Sequence, residues 1–160
     1  MSIAAALRAE IGAQKIISNP ALDIYQAHFS PDGHWIAFEA TRALPEAVES
    51  TLYVMSAAGG PWIRITDGKQ WDDKPRWSPD GKTIYFVSRR AGFFNVWGTR
   101  FDPVQGKPVG QAFRVSTFER SSSMVPQQIQ PVALSISKDH LLLTMSEVSG
   151  GIWILDNVDQ

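Results

Sequence analysis

No cysteine occurs among the 160 residues, which excludes a disulfide scaffold and a thiolate metal site. Charge of one sign is scarce too: 15 Lys and Arg against 16 Asp and Glu leave a formal net charge of −1. That balance lacks the basic footprint that nucleic acid or an anionic membrane requires, so neither is expected as a partner. No run approaches the roughly 18 consecutive apolar residues of a membrane span. The start, Met1-Ser-Ile-Ala-Ala-Ala-Leu-Arg8, has a short apolar stretch with no basic residues before it, a poor secretory signal. The expectation is a soluble chain, cytoplasmic or periplasmic.

Catalytic and cofactor motifs are also missing. No Gly-x-Ser-x-Gly elbow raises a nucleophilic serine. Ala57-Ala-Gly-Gly60 lacks the Lys-Ser/Thr of a phosphate loop and reads as a hairpin turn. His28, His34 and His140 have no carboxylate or second histidine at ligand spacing and read as surface or hairpin residues. No catalytic residue, metal or cofactor is expected.

What is present is a phrase said twice. Residues 29–38 read Phe-Ser-Pro-Asp-Gly-His-Trp-Ile-Ala-Phe, and residues 77–86 read Trp-Ser-Pro-Asp-Gly-Lys-Thr-Ile-Tyr-Phe. Ser30 and Ser78 set a period of 78 − 30 = 48 residues, within the range of propeller blades. Pro31 and Pro79 pre-set the second position of a type I turn, Asp32 and Asp80 tolerate the third, and Gly33 and Gly81 take the positive φ that follows. Ser30 and Ser78 read as turn residues whose hydroxyls bond local backbone.

A third, decayed copy places Ser135-Ile-Ser-Lys-Asp-His140 where the turn would be, with Leu141–Ser146 as its strand. Tyr53, Trp97 and Trp153 fall at one repeat position. With Phe38, Trp77, Tyr85 and Phe86 they form an aromatic stripe expected in the core between blades. Strands are expected at Tyr25–Phe29, Trp35–Ala40, Thr51–Met55 and Trp62–Thr66, then Lys74–Trp77, Thr83–Ser88, Phe94–Arg100 and Phe113–Ser116. A last blade would use Val132–Ser135, Leu141–Ser146 and Ile152–Asp156, and a lone strand lies near Lys15–Ser18.

The pattern resembles the PD40, or WD40-like, propeller repeats of the TolB family. It is carried by Phe29–Phe38 with Leu52–Met55 and Arg64-Ile-Thr66, and by Trp77–Phe86 with Val96-Trp97. The resemblance implies an all-β fold of four-stranded antiparallel blades. It implies a bacterial, non-catalytic module that binds protein or peptide, or else an accessory or sensor propeller cut from a larger enzyme, a peptidase gate or a signalling kinase.

Residues 1–14 read as an extension or remnant of a preceding blade, and blades are expected at about 21–68, 72–118 and 129–158. The strand at 15–18 would belong with a partner or an absent blade. Closed propellers have typically 4–8 blades, so three form a partial propeller that cannot close as a monomer. Either the chain is a piece of a longer propeller, or two copies pair into a six-bladed ring.

Loops gathered around the channel are the expected binding surface. They are Gln70–Lys74, Arg42–Ser50, Arg89–Phe93 and Ser121–Gln130. The candidate residues are Trp71, Asp72, Asp73, Arg89, Arg90 and Gln127. For Trp71 the competing reading is packing on the next blade while both aspartates face water. For Arg89 and Arg90 it is an internal pair with Asp72 or Asp73.

Overall fold

The repeated phrase folds into the same turn twice, bond for bond. The computed structural model describes residues 14–120, 123–126, 128 and 131–147. In the first copy Ser30 Oγ donates to Asp32 Oδ1 (2.5 Å) and accepts from Trp35 N (2.9 Å), while His34 N donates to Asp32 Oδ1 (3.0 Å). In the second, Ser78, Asp80, Lys82 and Thr83 make the same three bonds at the same distances. Gly33 and Gly81 close the turns at φ +73° and +69°, where a side chain would be strained. The serine hydroxyl, first among the causes, holds the Asp32 and Asp80 carboxyls below the usual range.

Each turn joins the first two strands of a four-stranded antiparallel sheet. The first sheet runs β1 (Asp23–Phe29), β2 (Trp35–Ala43), β3 (Val48–Ser56), β4 (Ile63–Arg64), in that order. The second repeats it with β5 (Asp72–Trp77), β6 (Thr83–Ala91), β7 (Phe93–Asp102) and β8 (Lys107–Arg114). The middle strands are buried on both faces, as a sheet stacked between sheets requires.

Packing between the two sheets is aromatic. Ala37 and Val54 of the first face Trp77, Ile84 and Phe101 of the second. The Phe101 ring meets Trp35 edge-on at 5.2 Å and Trp77 at 5.3 Å. Trp77 Nε1 donates to the His28 carbonyl (3.2 Å), so its one polar atom is satisfied inside the junction. A second cluster joins Val87, Phe94 and Val96 to Val125, Val132 and Leu134 of the third unit. Of the aromatic stripe, Phe38, Trp77 and Phe86 are buried, and Tyr53, Tyr85 and Trp97 are half-buried. Trp153 lies outside the described residues.

The third unit is reduced: β10 (Leu134–Ile136) pairs with β11 (Leu141–Leu143), and β9 (Ser123–Met124) pairs with β12 (Ser146–Glu147). Its turn departs from the sequence expectation. Ser137, not Ser135, takes the role of Ser30, with its N–H on His140 O (2.8 Å) and its Oγ accepting from His140 N (3.0 Å). Without Pro and Gly the hairpin tightens, and Ser135 becomes a strand residue opposite Leu142. The expected strand Ile152–Asp156 lies outside the described residues, and Lys15–Ser18 has no strand partner among them.

The architecture is all-β: two four-stranded propeller blades and part of a third, not closed into a ring. Among the described residues no helix is long and apolar enough to cross a membrane.

Candidate functional site

Two of the expected loops are hairpins. β2 continues to Ala43 and β3 begins at Val48, so Arg42–Ser50 is mostly strand. β6 and β7 run to Ala91 and Phe93, leaving Gly92 at φ +88° as the bend in Arg89–Phe93. Ser121–Gln130, expected as a loop, contains β9, and its Val125 is fully buried in the core.

The largest correction falls on Gln70–Lys74. Asp72, Asp73 and Lys74 belong to β5, the innermost strand of the second blade, and all three are buried rather than facing water. A β-bulge between Asp73 and Arg76 puts Lys74 at φ +57°. In β1 the corresponding bulge, between Tyr25 and His28, puts Gln26 at φ +53°. The two left-handed residues are 74 − 26 = 48 positions apart, so the strained bend is part of the repeat. It turns both inner strands around a common cleft of about 460 Å³.

Buried ionisable groups form one side of the cleft. Lys74 Nζ sits 3.6 Å from Asp73 Oδ2, and no hydrogen bond from the described residues reaches that ammonium. Glu39, from β2, is buried beside Asp73. Ser50 Oγ lies 2.9 Å from Glu39 Oε1 and also contacts the Asp72 carbonyl. A hydroxyl has one proton to give. That proton is shared between two acceptors, the Glu39 carboxyl and the Asp72 carbonyl. Burial first, then the neighbouring Asp73 carboxyl, pushes Glu39 up to about 9, outweighing the Ser50 hydroxyl and the Lys74 charge, which act to lower it. A carboxyl raised that far holds its proton at pH 7, so Glu39 is the neutral acid.

The apolar wall is Tyr25, Ala43, Val48 and Trp71. Trp71 also packs on the cluster between the second and third units. Its Nε1 is buried with no hydrogen-bond partner among the described residues.

The remaining candidates are divided. Arg90 Nη2 reaches both oxygens of Asp72 at 2.9 and 3.0 Å, its Nε donates to Ser88 Oγ (2.9 Å), and its guanidinium lies over Phe86 and Trp97. Burial raises the Asp72 carboxyl despite these partners. This pair is internal. Arg89 is exposed and bonds the Gly92 carbonyl, and Gln127 lies outside the described residues. Sequence reasoning missed Glu39, Ser50, Tyr25 and Gln26. The one available signal was Glu39 itself, an acid between Phe38 and Ala40 in an apolar strand.

Both turn serines spend their hydroxyls inside the turns. Among the described residues, no three His, Cys, Asp or Glu side chains converge as metal ligands.

No protein-family profile matches the chain. It is 43% identical over 56 residues to the uncharacterized peptidase YuxL of Bacillus subtilis, covering 35% of this chain and 8% of that one. It is 39% identical over 54 residues to the Tol-Pal system protein TolB of Bordetella pertussis, covering 33% and 12%. The chain spans about a quarter or less of the length of these curated relatives. TolB from Acinetobacter baumannii matches in fold with a TM-score of 0.54 and 22% identity, over 89% of this chain and 34% of that one. The doubled Ser-Pro-Asp-Gly turn, the two like-ordered sheets and these matches make the chain a TolB-like, PD40-type β-propeller segment.

Proposed function

We propose that this propeller segment is a non-catalytic module that binds a protein or peptide segment in the cleft between its first two inner strands. The observation that carries the reading is the Lys74 ammonium. It is buried in the cleft wall, paired with Asp73 beyond hydrogen-bond distance, and has donors to spare. A backbone carbonyl of an extended peptide suits such a donor, and Tyr25 and Trp71 offer aromatic surface for its side chains. The protein works in a soluble compartment, cytoplasmic or periplasmic.

Panning a displayed random-peptide library on the 160-residue chain tests this. Recovered peptides are expected to bind Lys74→Met or Tyr25→Ala at least tenfold more weakly than the parent. Peptides indifferent to both changes would move the site elsewhere, and failure to recover any peptide would sink the reading.

The YuxL match favours a second reading, a propeller accessory to a peptidase whose catalytic groups lie in another part of a longer polypeptide. Protein purified from its native source would then exceed 17.7 kDa and hydrolyse peptide substrates.

A further inference from the structure

The two bulges of the inner strands bring the same kind of atom to the same cleft. Gln26 and Lys74 hold equivalent places in the repeat, and both take the left-handed backbone that residues with side chains rarely adopt. Both line the cleft. Arg76 Nη2 donates to Gln26 Oε1 (3.2 Å). A guanidinium only donates, so the amide oxygen faces Arg76, and the two N–H groups of Gln26 Nε2 meet no acceptor among the described residues. Lys74, 4% exposed, likewise has no hydrogen bond to its ammonium among them. A donor held out of water without an acceptor is costly, so two of them on one cleft call for an occupant that supplies oxygens.

Charge narrows the class. Two cations, Lys74 and Arg76, share one carboxylate: Asp73 pairs with Lys74 and also acts on Arg76. Glu39 adds no negative charge, because it keeps its proton. Asp72 is matched by Arg90. Burial, then Arg76, lowers the His28 imidazole below its usual range, so it is neutral at pH 7. Asp23, the remaining acid of the lining, is exposed, and solvent screens it. The buried side of the cleft thus carries surplus positive charge beside its two free donors.

We infer that the cleft receives the free C-terminal carboxylate of a peptide whose last side chain is apolar, one oxygen on Lys74 Nζ and the other on Gln26 Nε2. This rests on the reading that the cleft binds peptide. A carboxylate brings two acceptor oxygens and the negative charge that balances this wall. At a chain terminus it belongs to the same residue as a side chain, so one residue meets both the donors and the apolar wall of Tyr25, Ala43, Val48 and Trp71. An aspartate or glutamate side chain would satisfy the donors alone.

Fluorescein-labelled pentapeptide pools, random except for a final Phe, test this by anisotropy on the 160-residue chain. One pool ends in the free acid, a second in the amide, and a third in the amide with Glu next to the Phe. The acid pool is expected to bind at least tenfold more tightly than either amide pool. Lys74→Met should abolish that preference. So should Gln26→Glu, which keeps an oxygen for Arg76 but replaces the donor with a repelling carboxylate, and which serves alone if Lys74→Met does not fold. Equal binding of acid and amide pools would overturn the inference and leave peptide binding standing. A Glu-containing amide pool that matches the acid would move the carboxylate to a side chain, against the inference. An acid preference that survives Gln26→Glu would refute the assigned donors. If no pool binds while panned peptides do, the inference falls alone; if neither binds, the reading beneath it falls too.

Discussion

Replacing Glu39 with Gln isolates one proton in the blade junction. Glutamine keeps the shape and its amide oxygen still accepts from Ser50 Oγ, but it cannot ionise. In the unfolded chain Glu39 titrates near 4.5, and in the folded chain near 9. Below the first value both states hold the proton and pH has no effect through this group. Between the two values only the folded state holds it, so stability falls as pH rises; above the second the loss is complete. One proton gives a slope of at most about 1.4 kcal/mol per pH unit, so the parent should lose about 2.7 kcal/mol relative to Glu39→Gln from pH 6 to pH 8. Urea denaturation of both proteins at each pH measures this, and groups common to both cancel in the difference. A difference flat across that window would show that Glu39 is ionised in the fold and refute the reasoning.

Asp73→Asn leaves the Lys74 ammonium buried without its counter-charge and should cost about 3 kcal/mol by denaturant titration. Trp97→Ala removes a ring under the Arg90 guanidinium and should cost about 3 kcal/mol, read as a lower melting temperature. Gly98→Ala would set a Cβ 2.6 Å from the Phe113 ring and should destabilise by about 1–3 kcal/mol as the β7–β8 pair shifts. Ser78→Ala should return the Asp80 carboxyl toward its usual range, visible by NMR titration, while Asp32 titrates as before.

The architecture was legible because its signal is local. Turn chemistry at Ser30–Gly33 and Ser78–Gly81 fixes two hairpins, and the alternation after each fixes the strands. What escaped is set by partners distant in the chain. Thr41, Arg42 and Ala43 look like loop but extend β2, because Ser50, Glu49 and Val48 lie opposite them. Asp72 and Asp73 look solvated, yet they are buried because Arg90, Ser50 and Glu39 come to meet them from other strands. The third turn was misplaced by two residues because Ile136 and Ser137 offer nothing to distinguish strand from turn once Pro and Gly are gone.

The bonds that repeat and the bonds that do not repeat divide the molecule into two kinds of information. Everything in the Ser-Pro-Asp-Gly turn is satisfied within six residues, so gene duplication can copy it without altering any neighbour. The junction is different: Glu39 corresponds to Val87, Asp73 to Tyr25 and Lys74 to Gln26. A duplicated second blade inserted after itself would bring its buried ammonium and carboxylate against valine instead of a carboxylic acid. The polar junction thus acts as an address, allowing blades to multiply by copying while holding these two in one order.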